Sequence, residues 1–133
     1  MRKTLAILLI GGLLAVACGP SRVELLSERV DAYNRSIRWS SLSAASALID
    51  NAVRKTLLER LAKELTANKV VDYSIMDLGL DEKSRSGSVL VEYSYYGYDQ
   101  ELKYRQEVQS WKYSPKEKNW FLTAVRAMDV PSP

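Results

Sequence analysis

The chain contains no histidine and a single cysteine among its 133 residues. Histidine is the commonest general base and the commonest metal ligand, so both of its uses are excluded. Zinc sites of the Cys/His types cannot be built, nor can a Ser-His-Asp or Cys-His site. No Asp-rich loop has calcium-ligand spacing, and neither a metal nor a cofactor is expected. A large charge excess is also missing. The formal net charge is +3, but Arg2 and Lys3 lie in a leading segment without acidic residues. Beyond residue 17, seventeen basic side chains face sixteen acidic ones. The signs alternate, as in Glu24, Arg29, Asp31 and Arg35. That is the pattern of a mixed solvated surface, and no nucleic-acid partner is expected.

A long apolar run is missing too. Arg2-Lys3 precede an uncharged stretch from Leu5 to Ala17, 13 residues long. A membrane span takes about 20. The stretch has the length and flanks of a signal peptide, and Gly11-Gly12 weakens it further as a permanent helix. No later stretch is comparably apolar. The run closes on Leu14-Ala15-Val16-Ala17-Cys18, which resembles the bacterial lipobox, where small residues precede an acylated cysteine. The family usually has leucine three residues before the cysteine; here that residue is Ala15, with Leu14 one position earlier. Ala15-Val16-Ala17 also fits ordinary secretion, which would leave a free terminal thiol. Lipidation is favoured because the one cysteine sits where acylation needs it, and an unpaired thiol is a liability in an oxidising compartment.

The lipobox resemblance implies cleavage between Ala17 and Cys18, a diacylglycerol on the Cys18 sulfur and a further acyl chain on its amine. Several chains anchor stably where one is marginal. Gly19, in place of the aspartate that retains many lipoproteins on the inner membrane, implies the periplasmic face of the outer membrane. The expected organisation is a signal peptide at 1–17, the lipidated cysteine and a short tether at 18–21, one domain at 22–128 and a loose tail at 129–133, where Pro131 and Pro133 lie.

The domain divides by periodicity. Ser21 to Glu24 matches a capping box. Val23, Leu26, Val30, Tyr33 and Ile37 then form one apolar stripe, which predicts a helix over Arg22 to Arg38. A short helix is expected over Ala44 to Ile49. Asp50 caps a third over Asn51 to Thr66, with Val53, Leu57, Leu58, Leu61 and Leu65 as its stripe. From Val70 the period becomes two. Val71, Tyr73 and Ile75 share a face of one strand. Gly79 to Gly87 reads as a polar connection. Val89, Val91, Tyr93 and Tyr95 share a face of a second strand, and Gly97 to Gln100 make a turn. A third strand runs from Glu101 to Tyr113. Its apolar positions switch parity from Leu102, Tyr104 and Val108 to Trp111 and Tyr113, which predicts a β-bulge near Gln109-Ser110. A fourth strand spans Asn119 to Arg126.

Helices followed by an antiparallel meander give an α+β class: N-terminal helices packed on a curved four-stranded antiparallel sheet. This order, with Tyr33 to Trp39, Gln109 to Tyr113 and Asn119 to Leu122, resembles the cystatin-like cone of nuclear-transport-factor-2-like and SnoaL-like proteins. It also resembles small bacterial lipoproteins of that class. The fold implies no single function, since it hosts enzymes, binders and structural subunits.

Candidate residues are weighed on that frame. Tyr93, Tyr95, Tyr96 and Tyr98 would stack on sugars or grip a partner; alternatively Tyr93 and Tyr95 fill the core while Tyr96 and Tyr98 flank a turn. Trp39, Trp111 and Trp120 would line the cone's mouth, or lie in the core, the reading favoured here. Arg38 would recognise an anion or, as favoured, form a surface ion pair. Enzymes of the resembled class use a pocket Asp or His. Asp72 is read as pointing away from the core face, and Asp77 as sharing its parity near the strand's end. The expectation is a lipid-anchored, non-enzymatic module that meets an envelope partner. The alternatives are a small-molecule binder using an apolar hollow between sheet and helices, and a SnoaL-like enzyme. Leu90, Tyr96 and Trp111 are expected on an outer sheet face open to homodimerisation.

Overall fold

The computed structural model describes residue 19 and residues 21–128. Ala17, Cys18 and the expected tail lie outside them. Three helices, α1 (Arg22–Arg38), α2 (Leu42–Ser46) and α3 (Arg54–Ala67), precede four strands, β1 (Lys69–Asp81), β2 (Ser86–Tyr96), β3 (Leu102–Ser114) and β4 (Asn119–Met128). The strands form one antiparallel sheet in the order β1-β2-β3-β4.

Ser21 Oγ accepts from the Glu24 N–H at 3.2 Å and starts α1 where the capping box predicts. The stripe then buries Leu26, Val30, Tyr33 and Ile37 against the sheet. Each such burial contributes roughly 1.5–3 kcal/mol. Val23, at the helix start, stays exposed. At the other end Ser40 turns left-handed at φ 54°. The N–H of Ser40 donates to Ile37 O and that of Ser41 to Ser36 O, which closes the helix as a Schellman motif.

Three boundaries differ from the sequence reading. The short helix ends at Ser46 because Ile49 extends to bridge Leu122 on β4. Asp50 caps the turn before α3, accepting from the Ala52 N–H at 3.1 Å, and the helix begins at Arg54. The polar connection from Gly79 to Gly87 shrinks to residues 82–85, because Gly79, Leu80 and Asp81 pair with Ser88, Gly87 and Ser86.

Two bulges make β1 lose its simple parity. Register shifts fall between Val70 and Asp72 and between Ile75 and Asp77. Each inserts one unpaired residue, so Val70, Tyr73, Ile75, Leu78 and Leu80 fall on one row, of which all but the exposed Ile75 pack on the core. Val71 drops out of that row. Asp77, read from unbroken alternation as core-facing, pairs with Leu90 on the outer face and is exposed. The bulge predicted near Gln109-Ser110 falls between Ser110 and Trp111, with the extra residue, Thr123, on β4. β2 and β3 pair without a break from Tyr96↔Leu102 to Ser86↔Lys112. The inner row of β3 is therefore Arg105, Glu107, Gln109 and Trp111, and Leu102 and Tyr104 project outward, exposed.

Candidate functional site

The unbroken β3 parity brings a polar cluster into the middle of the molecule. Asn34, on the stripe of α1, is completely buried, as is Gln109 on β3. Tyr93 on β2 is 1% exposed. Tyr93 Oη donates to Asn34 Oδ1, which also accepts from Gln109 Nε2 at 2.8 Å. Asn34 Nδ2 donates to Gln109 Oε1 at 3.2 Å and to Val30 O at 2.8 Å. Amide and phenol thereby satisfy one another, as buried polar groups must. Burial and the nearby Glu107 keep the Tyr93 phenol well above its ordinary range, so it remains a donor.

Glu107 lies two residues from Gln109 and is 6% exposed. Its Oε1 is 3.9 Å from Arg105 Nη2, and its Oε2 has no hydrogen-bond partner. Arg105 Nε and Trp111 Nε1 are likewise buried without a partner. Arg105 is shared with Glu64 on α3 at 3.5 Å, and Glu64 also binds Arg60 at 3.2 Å. Burial raises the Glu107 carboxyl to about 7, against the pull of Arg105. This group can change charge near neutrality without any histidine.

The seven expected binding residues divide among three places. Tyr93 and Trp111 are in the core, where Trp111 meets Tyr33 edge-on at 5.9 Å. Trp111 is therefore not on the outer sheet face, where homodimerisation was expected to use it; its parity is set by the continuous β2–β3 register. Tyr95 is half-buried under Arg105. Tyr96 and Tyr98 flank the β2–β3 turn and are 40% and 88% exposed. They line a cleft of about 670 Å³ with Leu65, Asn68, Lys69 and Gln100. Trp39 and Arg38 form the third place. Trp39 is 69% exposed, unlike the buried Trp111 and Trp120, because α1 ends there and turns away from the sheet. Arg38 stacks on Trp39 at 4.4 Å and donates to Val70 O at 3.2 Å, so the expected surface ion pair is replaced by a carbonyl and a ring. A cleft of about 410 Å³ adjoins Trp39, lined by Ala32, Arg35, Ser36 and Leu48. Neither cleft reaches Glu107.

Asp72 and Asp77 are both exposed, each accepting from the next residue's N–H. The space between sheet and helices is packed by Leu57, Leu61, Tyr93 and Trp111, all buried. Among the described residues no three His, Cys, Asp or Glu side chains are grouped to hold a metal, and no helix is long and apolar enough to cross a membrane.

Sequence periodicity missed Asn34, Glu107 and Gln109. The available signal was Trp111: counting inward positions back from it by two gives Gln109, Glu107 and Arg105.

Three helices laid on one face of a curved antiparallel meander define an α+β protein of cystatin-like, NTF2-like fold. No protein-family model matches the chain, and no curated protein matches it. Solved structures do. One is a ketosteroid isomerase-like protein from Erwinia carotovora atroseptica, 10% identical, TM-score 0.65, covering 84% of this chain and 100% of that one. Another is a protein of the NTF2-like family from Streptomyces avermitilis, 12% identical, TM-score 0.64, covering 83% and 96%. A third is a protein of unknown function with a cystatin-like fold from Methylobium petroleophilum, 8% identical, TM-score 0.58, covering 84% and 80%. At these identities the likeness is one of fold alone.

Proposed function

We propose that the chain is a lipid-anchored envelope protein whose domain is a non-enzymatic interaction module on the periplasmic face of the outer membrane. The observation that carries this reading is the placement of the one cysteine, Cys18, directly after an apolar stretch closed by small residues. The packed interior supports a binding surface over a pocket. Leu57, Leu61, Tyr93 and Trp111 fill the hollow that a small-molecule binder would need. The exposure of Asp72 and Asp77 supports the non-catalytic reading, because both side chains face bulk water rather than a pocket. A second copy meeting the outer sheet face near Leu90 and Tyr96 is the homodimer version of the same use.

The test is chemical. Mass spectrometry of the membrane-extracted protein should find the chain starting at Cys18 with acyl chains attached. Cys18→Ser should stay unprocessed and unacylated. If Cys18→Ser matures normally and remains as firmly bound to envelopes, the reading is overturned.

A further inference from the structure

Three segments distant in sequence meet at the start of α1. Trp120 Nε1 donates to Arg22 O at 2.9 Å, and the Arg22 guanidinium lies 4.8 Å over the Tyr113 ring. The Tyr113 N–H donates to Arg85 O at 2.9 Å. Leu26 lies so close above Gly87 that a Cβ there would come within 2.6 Å of it. The first turn of α1, the β1–β2 turn and the β3–β4 turn therefore form one end of the domain. Arg22, Lys83, Arg85, Lys112, Lys116 and Lys118 are exposed on these segments. Among the described residues none of the six has a carboxylate within 4 Å. Five acidic residues, Glu24, Asp50, Asp81, Glu82 and Glu117, share the end, Asp50 bordering the same clefts as Asp81, Lys112 and Glu117, and the six cations exceed them by one. Val23 and Pro115 add exposed apolar groups. At the opposite end, beside the β2–β3 turn, Lys103 is already paired with Asp99 at 2.7 Å.

The length of chain outside the domain decides which end faces a membrane. From Cys18 to Arg22 is four residues, at most about 14 Å of extended chain. An acylated Cys18 thus holds the cationic end within about two Debye lengths of the headgroups, even with the tether fully stretched. The 17-residue α1 puts its far end, with Trp39, about 25 Å along the helix axis.

We propose that this cationic end docks on anionic phospholipid headgroups, with Lys116, Lys118 and Arg85 facing them, so that the β2–β3 turn with Tyr96 and Tyr98 is held outward. The proposal rests on the lipid-anchor reading above. Juxtamembrane cations are drawn to anionic surfaces and released by salt.

The full, acylated protein tests it. With the Cys18 sulfur acylated, Ser84→Cys or Tyr98→Cys supplies the only free thiol for a fluorescent label. Each labelled protein is placed in phosphatidylcholine vesicles with or without phosphatidylglycerol, and quenching by neutral acrylamide is measured. Phosphatidylglycerol should protect the label at position 84 about threefold and leave the one at 98 unchanged. High salt, or the Lys116→Glu/Lys118→Glu double variant, should abolish that protection. Equal quenching at both positions, or protection indifferent to salt and to phosphatidylglycerol, overturns the docking while the acylated mass of the same sample keeps the anchor. An unacylated Cys18 in that sample overturns both.

Discussion

The inner face of the sheet has two halves that are chemically unlike. Near the start of α1 it is mostly apolar: Leu26, Trp111, Trp120, Leu122 and Ile49 are sealed from solvent, and among these residues Trp111 Nε1 is the one buried polar side-chain atom without a partner. The one polar atom on the Trp120 ring meets the Arg22 carbonyl. Nearer the β2–β3 turn the same face carries Tyr93, Asn34, Gln109, Glu107 and Arg105. Three of these close a hydrogen-bonded ring, while Glu107 Oε2 and Arg105 Nε are left without partners. Burial alone therefore does not distinguish stabilising from costly positions. The difference is whether each polar atom taken from water finds a partner.

The largest expected effect breaks the apolar half. Trp120→Ala removes a fully buried indole between Tyr113 and the bridge of Leu122 to Ile49, and leaves a cavity. It should cost about 3–5 kcal/mol, read from urea unfolding. A loss under about 1 kcal/mol would mean that this half is not the stabilising one.

The second effect belongs to the polar half and has the opposite sign. The Glu107 carboxyl stands at about 7 in the fold, above its ordinary 4.5. Below pH 4.5 it is protonated folded and unfolded alike, and no penalty applies. As pH rises from 4.5 to 7 the unfolded chain gives up its proton more readily, so stability falls, by about 3 kcal/mol at most, and levels off above. Asp81 and Asp99 titrate lower than usual and act in the opposite direction, below that window. With no histidine in the chain, the interval is unusually clear of other side chains. Glu107→Gln should flatten the profile and stabilise the protein at pH 8, measured as an unfolding midpoint across pH. A wild-type profile flat from pH 5 to 8 would refute the assignment.

Third, Asn34→Ala opens the satisfied ring. It leaves the Tyr93 O–H and Gln109 Oε1 without partners, while Gln109 Nε2 still donates to Tyr93 Oη at 3.2 Å, and should cost about 1–3 kcal/mol. Adding Tyr93→Phe and Gln109→Leu should recover part of the loss, since the stranded partners go too. If the triple variant is less stable than Asn34→Ala by the sum of the separate Tyr93→Phe and Gln109→Leu losses, the ring is not a unit.

The two halves differ in legibility for the same reason. The apolar half follows from periodicity: the α1 stripe, the β2 alternation and Trp120 with Leu122 are all where period 3.6 and period 2 put them. The class and order of elements were readable from these alone. The polar half was not, because Glu107 and Gln109 are residue types that normally face water, and Leu102 and Tyr104 supplied a competing apolar parity on β3. The pairing with β2 overrode it. Asp77 was misread because bulges at Val71 and Met76 leave no trace in composition. Trp39 shows a further limit: the helix end at Arg38 was read from the pattern, but nothing in the pattern showed that the turn there leaves the ring in solvent.

The smallest effect separates the charges around Glu107. Glu64 raises the Glu107 carboxyl by repulsion and also engages Arg105, the cation that would lower it. Glu64→Gln removes the repelling charge and frees Arg105 to turn toward Glu107. Both changes favour the ionised carboxylate. The pH at which stability levels off should move downward by less than about one unit, and the total loss across the window should shrink. Glu64 is partly solvated, so the direct cost of losing its pairs with Arg60 and Arg105 should stay within about 1 kcal/mol. The same substitution made in Glu107→Gln should leave the pH profile flat. If it changes the slope there, the titrating group of the polar half is not Glu107.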